Sequence, residues 1–244
     1  MTHPWLLPLR SSTTAEHRLV WFPHAGGGAN FFRPWTGLVD PQLEVLAAVY
    51  PGREHRLADP MIADAAAAVA KLAAELDEVA ADGRPTILFG HSMGALLAYE
   101  TARVLARRPA HLVVSGRSSP TCDTPWNGPR SDAEILRRVR AHGETSEEVL
   151  AEPGLRDMVL DILRNDYHLV DAYRMLPGPL PDVDITALGG IDDPDVTPAG
   201  LAAWRDATTG SFRHRMFPGG HFYLSDQRTA VVALLQQLVG VSIA

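Results

Sequence analysis

Short apolar runs alternate with longer stretches of helical period along most of this chain. The apolar runs are four to seven residues long and end in turn residues, which is typical of buried strands. The predicted strands are 19–22, 44–50, 86–89, 111–116, 183–188 and 212–217. Strands that alternate with helices indicate a mostly parallel sheet covered by helices on both faces. The pattern therefore predicts an α/β fold.

The helical patterns fill most of the intervals between these strands. The predicted helices span residues 31–38, 62–80, 95–106 and 223–239. The stretch 131–176 is also helical in pattern, and it interrupts the alternation of strands and helices. A helical insertion between core strands is typical of a lid over an active site, although an ordinary surface excursion would have the same pattern. We expect a single domain, 1–244, that carries this lid insertion.

Composition and charge narrow the class of protein. The 244 residues are 46% hydrophobic and 21% charged, and the net charge of −7 argues against a nucleic-acid binder. No apolar run reaches the roughly 18 residues that a membrane span needs. The amino-terminal residues have no basic leader followed by a long apolar segment. We expect a cytoplasmic protein that neither spans a membrane nor binds nucleic acid.

Residues 90–94, Gly-His-Ser-Met-Gly, stand between a predicted strand and a predicted helix. In a G-x-S-x-G turn at such a junction, the serine lies on a strained bend that exposes its hydroxyl, and the glycines avoid side-chain clashes. Ser92 is therefore the predicted nucleophile, with an incidental serine in a glycine-rich turn as the alternative. The N–H of Met93, at the start of the helix, would face the oxyanion that forms during acyl transfer.

A second oxyanion donor is expected from the loop after the first strand, residues 23–28, Pro-His-Ala-Gly-Gly-Gly. Many hydrolases take a donor from this position. The N–H of Ala25 is favoured because it immediately follows His24 at the end of the strand. We expect His24 to line the mouth of the site. A phosphate-binding loop is the alternative, but the spacing of glycine-rich phosphate loops is lacking.

A serine nucleophile needs a base, and the base needs a carboxylate that holds its tautomer. His221 follows the last predicted strand and a Gly-Gly turn, which makes it the predicted base. His91 is expected to be packed or hydrogen-bonded beneath the elbow, because neighbours on a sharp turn point apart. The order of nucleophile, acid and histidine in α/β-hydrolases places the acid in a loop between Ser92 and His221.

Several aspartates could supply this acid. Three of them, Asp192, Asp193 and Asp195, lie in the loop after the strand 183–188. Asp193 is favoured because Pro194 stiffens the loop behind it. Asp123, after the preceding strand, is a further candidate. Cys122 is the only cysteine, which excludes an internal disulfide and every metal site made of several cysteines.

Five stretches resemble the type II thioesterases of polyketide and nonribosomal-peptide assembly lines. They are residues 22–27, 50–53, 89–95, 190–196 and 219–224, and they follow the order of the family across nearly the whole chain. The resemblance implies the α/β-hydrolase fold. It also implies Asp193 as the acid and Ala25 beside Met93 in the oxyanion hole. One departure is Asp59-Pro60, where the family usually has Glu-Pro, which leaves the role of that loop less certain.

The resemblance also implies a substrate and a partner. Family members hydrolyse acyl thioesters on the phosphopantetheine arm of acyl or peptidyl carrier domains, and they need no metal or redox cofactor. Two other functions stay open from the sequence: a carboxylesterase or lipase that acts on free oxoesters, and a non-catalytic protein that binds carrier domains. The residues of the site do not by themselves select the leaving group.

Arginines at the start of the predicted lid are candidates for contact with a carrier. Carrier domains are typically acidic and this chain is acidic overall, so long-range attraction requires a local basic patch. Arg137 and Arg138 are the predicted contacts, with Arg130 and Arg140 beside them.

Overall fold

One sheet runs through the part of the chain that the computed structural model describes, residues 3–122, 128, 131–143, 145–175 and 177–240. Its strands are β1 (Leu6–Arg10), β2 (His17–Phe22), β3 (Leu43–Ala48), β4 (Thr86–His91), β5 (His111–Ser115), β6 (Ile185–Gly190) and β7 (Phe212–Phe217). Within the described residues these seven strands have the order β1-β3-β2-β4-β5-β6-β7. All neighbouring pairs are parallel except β1 and β3.

Helices cover this sheet and fill the connections. They are α1 (Ala65–Val79), α2 (Met93–Val104), α3 (Asp132–His142), α4 (Glu147–Ala151), α5 (Pro153–Ala172), α6 (Pro198–Ala202), α7 (Tyr223–Asp226) and α8 (Arg228–Gln237). Short 3₁₀ turns span Ala29–Trp35, Glu54–Arg56, Ala80–Asp82 and Ala203–Ala207. No helix in the described part of the chain combines the length and the apolar character that crossing a bilayer requires.

The central strands are buried on both faces. In β2, Val20 and Phe22 join the core beneath α1 and α2, whereas Leu19 and Trp21 join the core beneath α8. Successive side chains of a strand point to opposite faces, so a continuous apolar run fills both cores at once. The predicted α/β-hydrolase fold with a mostly parallel sheet is confirmed.

The strand β1 was not predicted from the sequence. It lies at the edge of the sheet, antiparallel to β3, and of its residues only Leu6 is buried. Pro8 sits inside it, and a proline is tolerated in a strand at an edge. A half-exposed edge strand that contains proline gives a weak apolar pattern, which explains the omission.

In the described part of the chain, three helices, α3, α4 and α5, lie between β5 and β6 in the stretch where the sequence predicts a lid. We call them the lid helices. Ser131 caps α3 by accepting the N–H of Glu134 at 3.3 Å, and Gly143 ends it in the left-handed region at φ 76°. These helices share a small core of their own: Ile135, Val139, Leu150, Leu160 and Leu163. The candidates Asp123 and Arg130, and the predicted end of the lid at position 176, lie outside the described residues.

Two glycines let α2 begin directly against the sheet. A Cβ on Gly90 would lie 2.1 Å from the carbonyl oxygen of Gly94, and a Cβ on Gly94 would lie 2.0 Å from that of Phe22. Both clashes are with main chain, which cannot move aside as a flexible side chain can. The start of α2 therefore requires glycine at both positions.

We expect Gly94→Ala to lower the free energy of unfolding by at least the roughly 1–3 kcal/mol typical of an overpacked core. A urea titration measures this. Gly37→Ala is the matched control, because no heavy atom lies within 4 Å of the position of its Cβ. Equal stability of the two variants would show that α2 can move away from β2.

Candidate active site

Ser92 lies at the junction of β4 and α2 with a strained backbone. Its φ of 55° and ψ of −115° are unusual for a residue with a side chain. Such strain costs about 1–3 kcal/mol and persists only where the surroundings impose it, most often at functional sites. The N–H of Ser92 donates to the carbonyl of Ser115 on β5 at 2.8 Å, which fixes the turn to the neighbouring strand. This geometry is that of a nucleophile elbow.

His221 and Asp193 form a buried pair at the ends of β7 and β6. Nδ1 of His221 lies 2.8 Å from Oδ2 of Asp193. Because a carboxylate only accepts hydrogen bonds, Nδ1 carries the proton and Nε2 is free to act as a base. The other carboxylate oxygen, Oδ1, accepts the N–H of Asp195 at 2.9 Å. The side chain of Asp193 is therefore held from both sides.

The three aspartates of this loop have different surroundings. Asp192 is exposed, and the carboxylate of Asp195 pairs with Arg138 rather than with the Nδ1 of His221. Asp193 alone of the three accepts a hydrogen bond from His221. The structure thus favours the aspartate that the sequence favoured.

Ser92 and His221 line the same cavity, of about 1020 Å³. Residues 116–120 and Cys122, which follow β5, supply one wall, and Arg138, Tyr173 and Arg174 supply another. The cavity opens at the carboxyl edge of the parallel strands, which is where open α/β sheets bind their ligands. A substrate in this cavity would reach both side chains.

The two candidate oxyanion donors lie at the start of α2 and in the loop after β2. Met93 is the first residue of α2, and N–H groups of the first helical turn have no intrahelical acceptor. In the loop after β2, the N–H of Gly26 donates to Asp166 at 2.8 Å and that of Gly27 to the carbonyl of His24 at 3.0 Å. These bonds commit both glycine N–H groups elsewhere, which agrees with Ala25 as the donor on this loop.

Comparison with known proteins identifies the family. The model of the thioesterase domain family matches residues 17–238. The chain belongs to the thioesterases. A type II thioesterase, BorB from the borrelidin biosynthetic cluster, has a TM-score of 0.83 and 36% identity, covering 97% of this chain and 98% of that one. RedJ, a thioesterase from the prodiginine pathway of Streptomyces coelicolor, has a TM-score of 0.83 and 35% identity, covering 92% of this chain and 86% of that one.

Curated relatives agree with this assignment. A probable cadicidin biosynthesis thioesterase of Streptomyces griseus is 37% identical over 93% of this chain, which spans 63% of that protein. The thioesterase PikA5 of Streptomyces venezuelae is 35% identical over 91% of this chain and 81% of its own length. The resemblance to type II thioesterases seen in the sequence is confirmed, and the protein is a hydrolase.

His24 of the thioesterase is buried and neutral. Burial, reinforced by the neighbouring His221 and Arg53, lowers its pKa to about 3. The ring packs edge-on against Phe31 and Phe222, with centroids 4.9 and 4.7 Å away. His24 lines a second cavity, of about 250 Å³, between the loop after β2 and the lid helices. A role in substrate binding remains a prediction for it.

His91 lies beneath the elbow, as the sequence indicates. Its Nδ1 is 2.9 Å from Oγ of Ser115, which is 2.8 Å from the hydroxyl of Tyr223. Burial lowers the pKa of His91 well below its ordinary value, with His221 and His24 adding to the effect. Gly116, at φ 61°, gives the ring its space, because a Cβ there would lie 2.3 Å from it.

Helix α3 supplies a histidine that was not among the site residues predicted from the sequence. His142, at the end of α3, stacks on His221 with ring centroids 4.6 Å apart and an interplanar angle of 20°. Its Nε2 lies 3.3 Å from Oδ2 of Asp195. Burial opposes ionisation of Asp195, but His142 and Arg138 outweigh it and lower the pKa of this carboxyl to about 2. No local pattern marks His142, because its position depends on how α3 docks.

These groups do not favour a metal site. In the described part of the chain, His142, Asp195 and His221 have possible ligand atoms within 4.8 Å of one another. The two stacked rings hold their nitrogens in nearly parallel planes, whereas a zinc ion needs ligands that converge tetrahedrally. Arg138 already pairs with the carboxylate of Asp195. The arrangement fits a hydrogen-bonded cluster better than a metal centre.

The two arginines predicted to meet a carrier differ in their surroundings. Arg137 is exposed on α3. Arg138 forms an ion pair with Asp195, at 2.5 Å, and lines the cavity of Ser92. Arg140 pairs with Glu147 at 2.9 Å. Carrier contact stays a prediction for both Arg137 and Arg138, and Arg137 is the more accessible of the two.

We expect Asp193→Asn to lower kcat by about 10⁴, because an amide stabilises the wrong tautomer of His221. Steady-state kinetics on an acyl thioester measure this. Asp192→Asn, at the exposed neighbouring position, is the matched control and should change kcat by less than about twofold. Comparable losses in the two variants would remove Asp193 from the role of acid.

Proposed function

We propose that this thioesterase hydrolyses acyl thioesters carried on the phosphopantetheine arm of acyl or peptidyl carrier domains. The biosynthetic pathways of its relatives, among them the NRPS/PKS pathway of yersiniabactin, support this substrate class. Removal of stalled or wrong acyl groups would return the carrier to use. The phosphopantetheine belongs to the substrate, and the reaction needs no metal or redox cofactor. A cytoplasmic location remains a prediction of the sequence.

The first half of the reaction forms an acyl-enzyme. Oγ of Ser92 attacks the thioester carbonyl carbon, while Nε2 of His221 takes the hydroxyl proton. The carboxylate of Asp193 accepts a hydrogen bond from Nδ1–H of His221 and stabilises the imidazolium that forms on this residue. The tetrahedral intermediate then collapses, the carbon–sulfur bond breaks, and His221 returns the proton to the leaving thiolate.

The second half hydrolyses the acyl-enzyme. A water molecule loses a proton to Nε2 of His221 and attacks the ester carbonyl carbon of acylated Ser92. The tetrahedral intermediate collapses, the bond from this carbon to Oγ of Ser92 breaks, His221 returns the proton to Oγ, and the free acid leaves. Both tetrahedral intermediates carry an oxyanion, which the N–H groups of Ala25 and Met93 stabilise. Each donor is worth roughly 3 kcal/mol in comparable enzymes.

One observation carries the proposal: the strained Ser92 shares a cavity with a base that is hydrogen-bonded to a buried carboxylate. A protein that only bound carrier domains would have no need to maintain this strain. The same geometry would also hydrolyse oxoesters, so the leaving group is inferred from the family.

We expect the protein to hydrolyse an acyl-pantetheine thioester at least tenfold faster, in kcat/KM, than the matched oxoester. Parallel assays with the same acyl group measure this ratio. A serine-directed phosphonate should label the wild-type protein and not Ser92→Ala, which removes the nucleophile and leaves the fold intact. A preference for the oxoester would identify a carboxylesterase, and an unlabelled wild-type protein would identify a binding protein.

We expect Arg137→Glu to raise the KM for an acyl-carrier substrate several-fold and to leave the KM for an acyl-pantetheine substrate unchanged. An exposed ion pair contributes at most about 1 kcal/mol to binding, which corresponds to a change in KM of roughly fivefold. Arg107→Glu is the control, because Arg107 is an exposed arginine beyond the carboxyl end of α2, which runs away from the site. Equal effects of the two substitutions would move the docking surface away from α3.

A further inference from the structure

Arg53 and Asp166 form a buried ion pair next to the proposed oxyanion loop. The guanidinium donates two parallel hydrogen bonds, Nη1 to Oδ2 and Nη2 to Oδ1, both of 2.7 Å. The two side chains are 5% and 2% exposed. Burial disfavours the charged form of Arg53, but the Asp166 carboxylate outweighs this and raises its pKa. Such a pair is costly to desolvate and is weak evidence for stability alone.

Both members of the pair also bond to the main chain of the loop after β2. Oδ2 of Asp166 accepts the N–H of Gly26 at 2.8 Å, and Nη1 of Arg53 donates to the carbonyl of Gly27 at 3.1 Å. Gly26 has a φ of 79°, in the left-handed region. The two bonds therefore fix the orientation of the peptide units that immediately follow Ala25.

The other end of the loop is held as well. The hydroxyl of Tyr50 donates to the carbonyl of Pro23 at 3.2 Å, and the guanidinium of Arg53 lies 5.3 Å from the centre of the Tyr50 ring. Ala25 thus lies between two anchored segments. The direction of its N–H follows from bonds made by residues outside the loop.

Asp166 belongs to α5, so one of these anchors comes from the lid. The side chain of Leu163, one turn earlier on α5, lies so close to Gly26 that a Cβ on Gly26 would be 2.8 Å from it. Asn165 donates to the carbonyl of Ile62 at 3.0 Å, which ties the same turn of α5 to the body of the protein. The loop and the lid helix therefore pack as one unit.

We propose that Arg53 and Asp166 are positioning residues for the oxyanion hole, which is complete only when α5 is docked on the loop after β2. This inference rests on the proposed function, because it takes Ala25 as an oxyanion donor. The role requires the Ala25 N–H to face Ser92, and the bond from the Gly26 N–H to Asp166 holds the adjoining peptide unit in place. If α5 moves away from the loop, the Gly26 N–H loses its acceptor on Asp166, and the Ala25 N–H is no longer held in place.

Two double variants test this role and differ in a single acceptor. Arg53→Met/Asp166→Asn removes both charges and keeps an amide oxygen that can accept the Gly26 N–H. Arg53→Met/Asp166→Leu removes both charges and the acceptor. Replacing a buried ion pair by uncharged side chains of similar volume is often neutral for stability, so both variants are expected to fold. Arg18→Met is the control, because Arg18 is a buried arginine paired with Glu44 at 2.7 Å. It lies at the amino end of β2, whereas the site lies at the carboxyl ends of the strands.

We expect the Met/Leu variant to lose 10- to 100-fold in kcat with KM unchanged within twofold. The Met/Asn variant should lose about fivefold, because it keeps an acceptor for the Gly26 N–H but lacks the bond from Arg53 to the Gly27 carbonyl. Arg18→Met should retain wild-type kcat. A trifluoromethyl ketone analogue of the acyl thioester forms an oxyanion when Ser92 adds to it. Its inhibition constant should rise in the Met/Leu variant by the same factor as kcat falls. The dissociation constant of a thioether analogue, which forms no oxyanion, should not change.

Three results would overturn the proposal: equal losses in the two double variants, a loss confined to KM, or an unchanged affinity for the trifluoromethyl ketone. Thermal melting checks that each variant is folded. If the Met/Leu variant does not fold, Arg53→Lys tests the positioning role instead. A lysine keeps the charge but cannot make the two parallel bonds, so kcat should fall several-fold with KM unchanged. Failure of the proposed function is a separate result, because the wild-type protein would then hydrolyse no thioester.

Discussion

The close approach of α2 to the end of β2 is the constraint on which the rest of the site depends. Gly94 brings the start of the helix against the carbonyl of Phe22, at a separation that excludes any side chain. The same approach strains Ser92 and sets Met93 beside the loop that carries Ala25. Main chain thus positions the nucleophile and the N–H of Met93. Side chains of other elements supply the base, its carboxylate and the bonds that hold the loop of Ala25.

The lid helices contact both halves of this arrangement. His142 of α3 covers the ring of His221, and Asp166 of α5 binds the loop of Ala25. Both contacts involve polar side chains, and they lie beside the apolar core that α3, α4 and α5 share. A lid that packed only through apolar side chains could slide with little cost, whereas hydrogen bonds and ion pairs lose most of their energy within about 1 Å of displacement. The polar contacts therefore fix the register of the lid on the site.

Electrostatics separate the histidines of the site by function. Within the described residues, the buried rings of His24 and His91 have no carboxylate partner, and burial lowers the pKa of each far below its ordinary value. His221 has Asp193 on its Nδ1, which stabilises the charged ring that forms during proton transfer. Two neutral imidazoles beside one that gains charge add little repulsion. In the proposed mechanism, His221 is thus the one of these three histidines that has a carboxylate beside its ring.

Local pattern determined much of this protein. Apolar runs predicted the central strands, and glycine spacing predicted the elbow at Ser92, because both signals lie within a few neighbouring residues. The half-exposed edge strand β1 has too weak an apolar pattern to be predicted in this way. For the acid, the sequence favoured Asp193 but did not exclude Asp192 or Asp195. Only the fold brought Arg53 to Asp166, 113 positions away, and His142 to His221. Contacts between distant segments depend on how whole helices dock, and no local pattern records that.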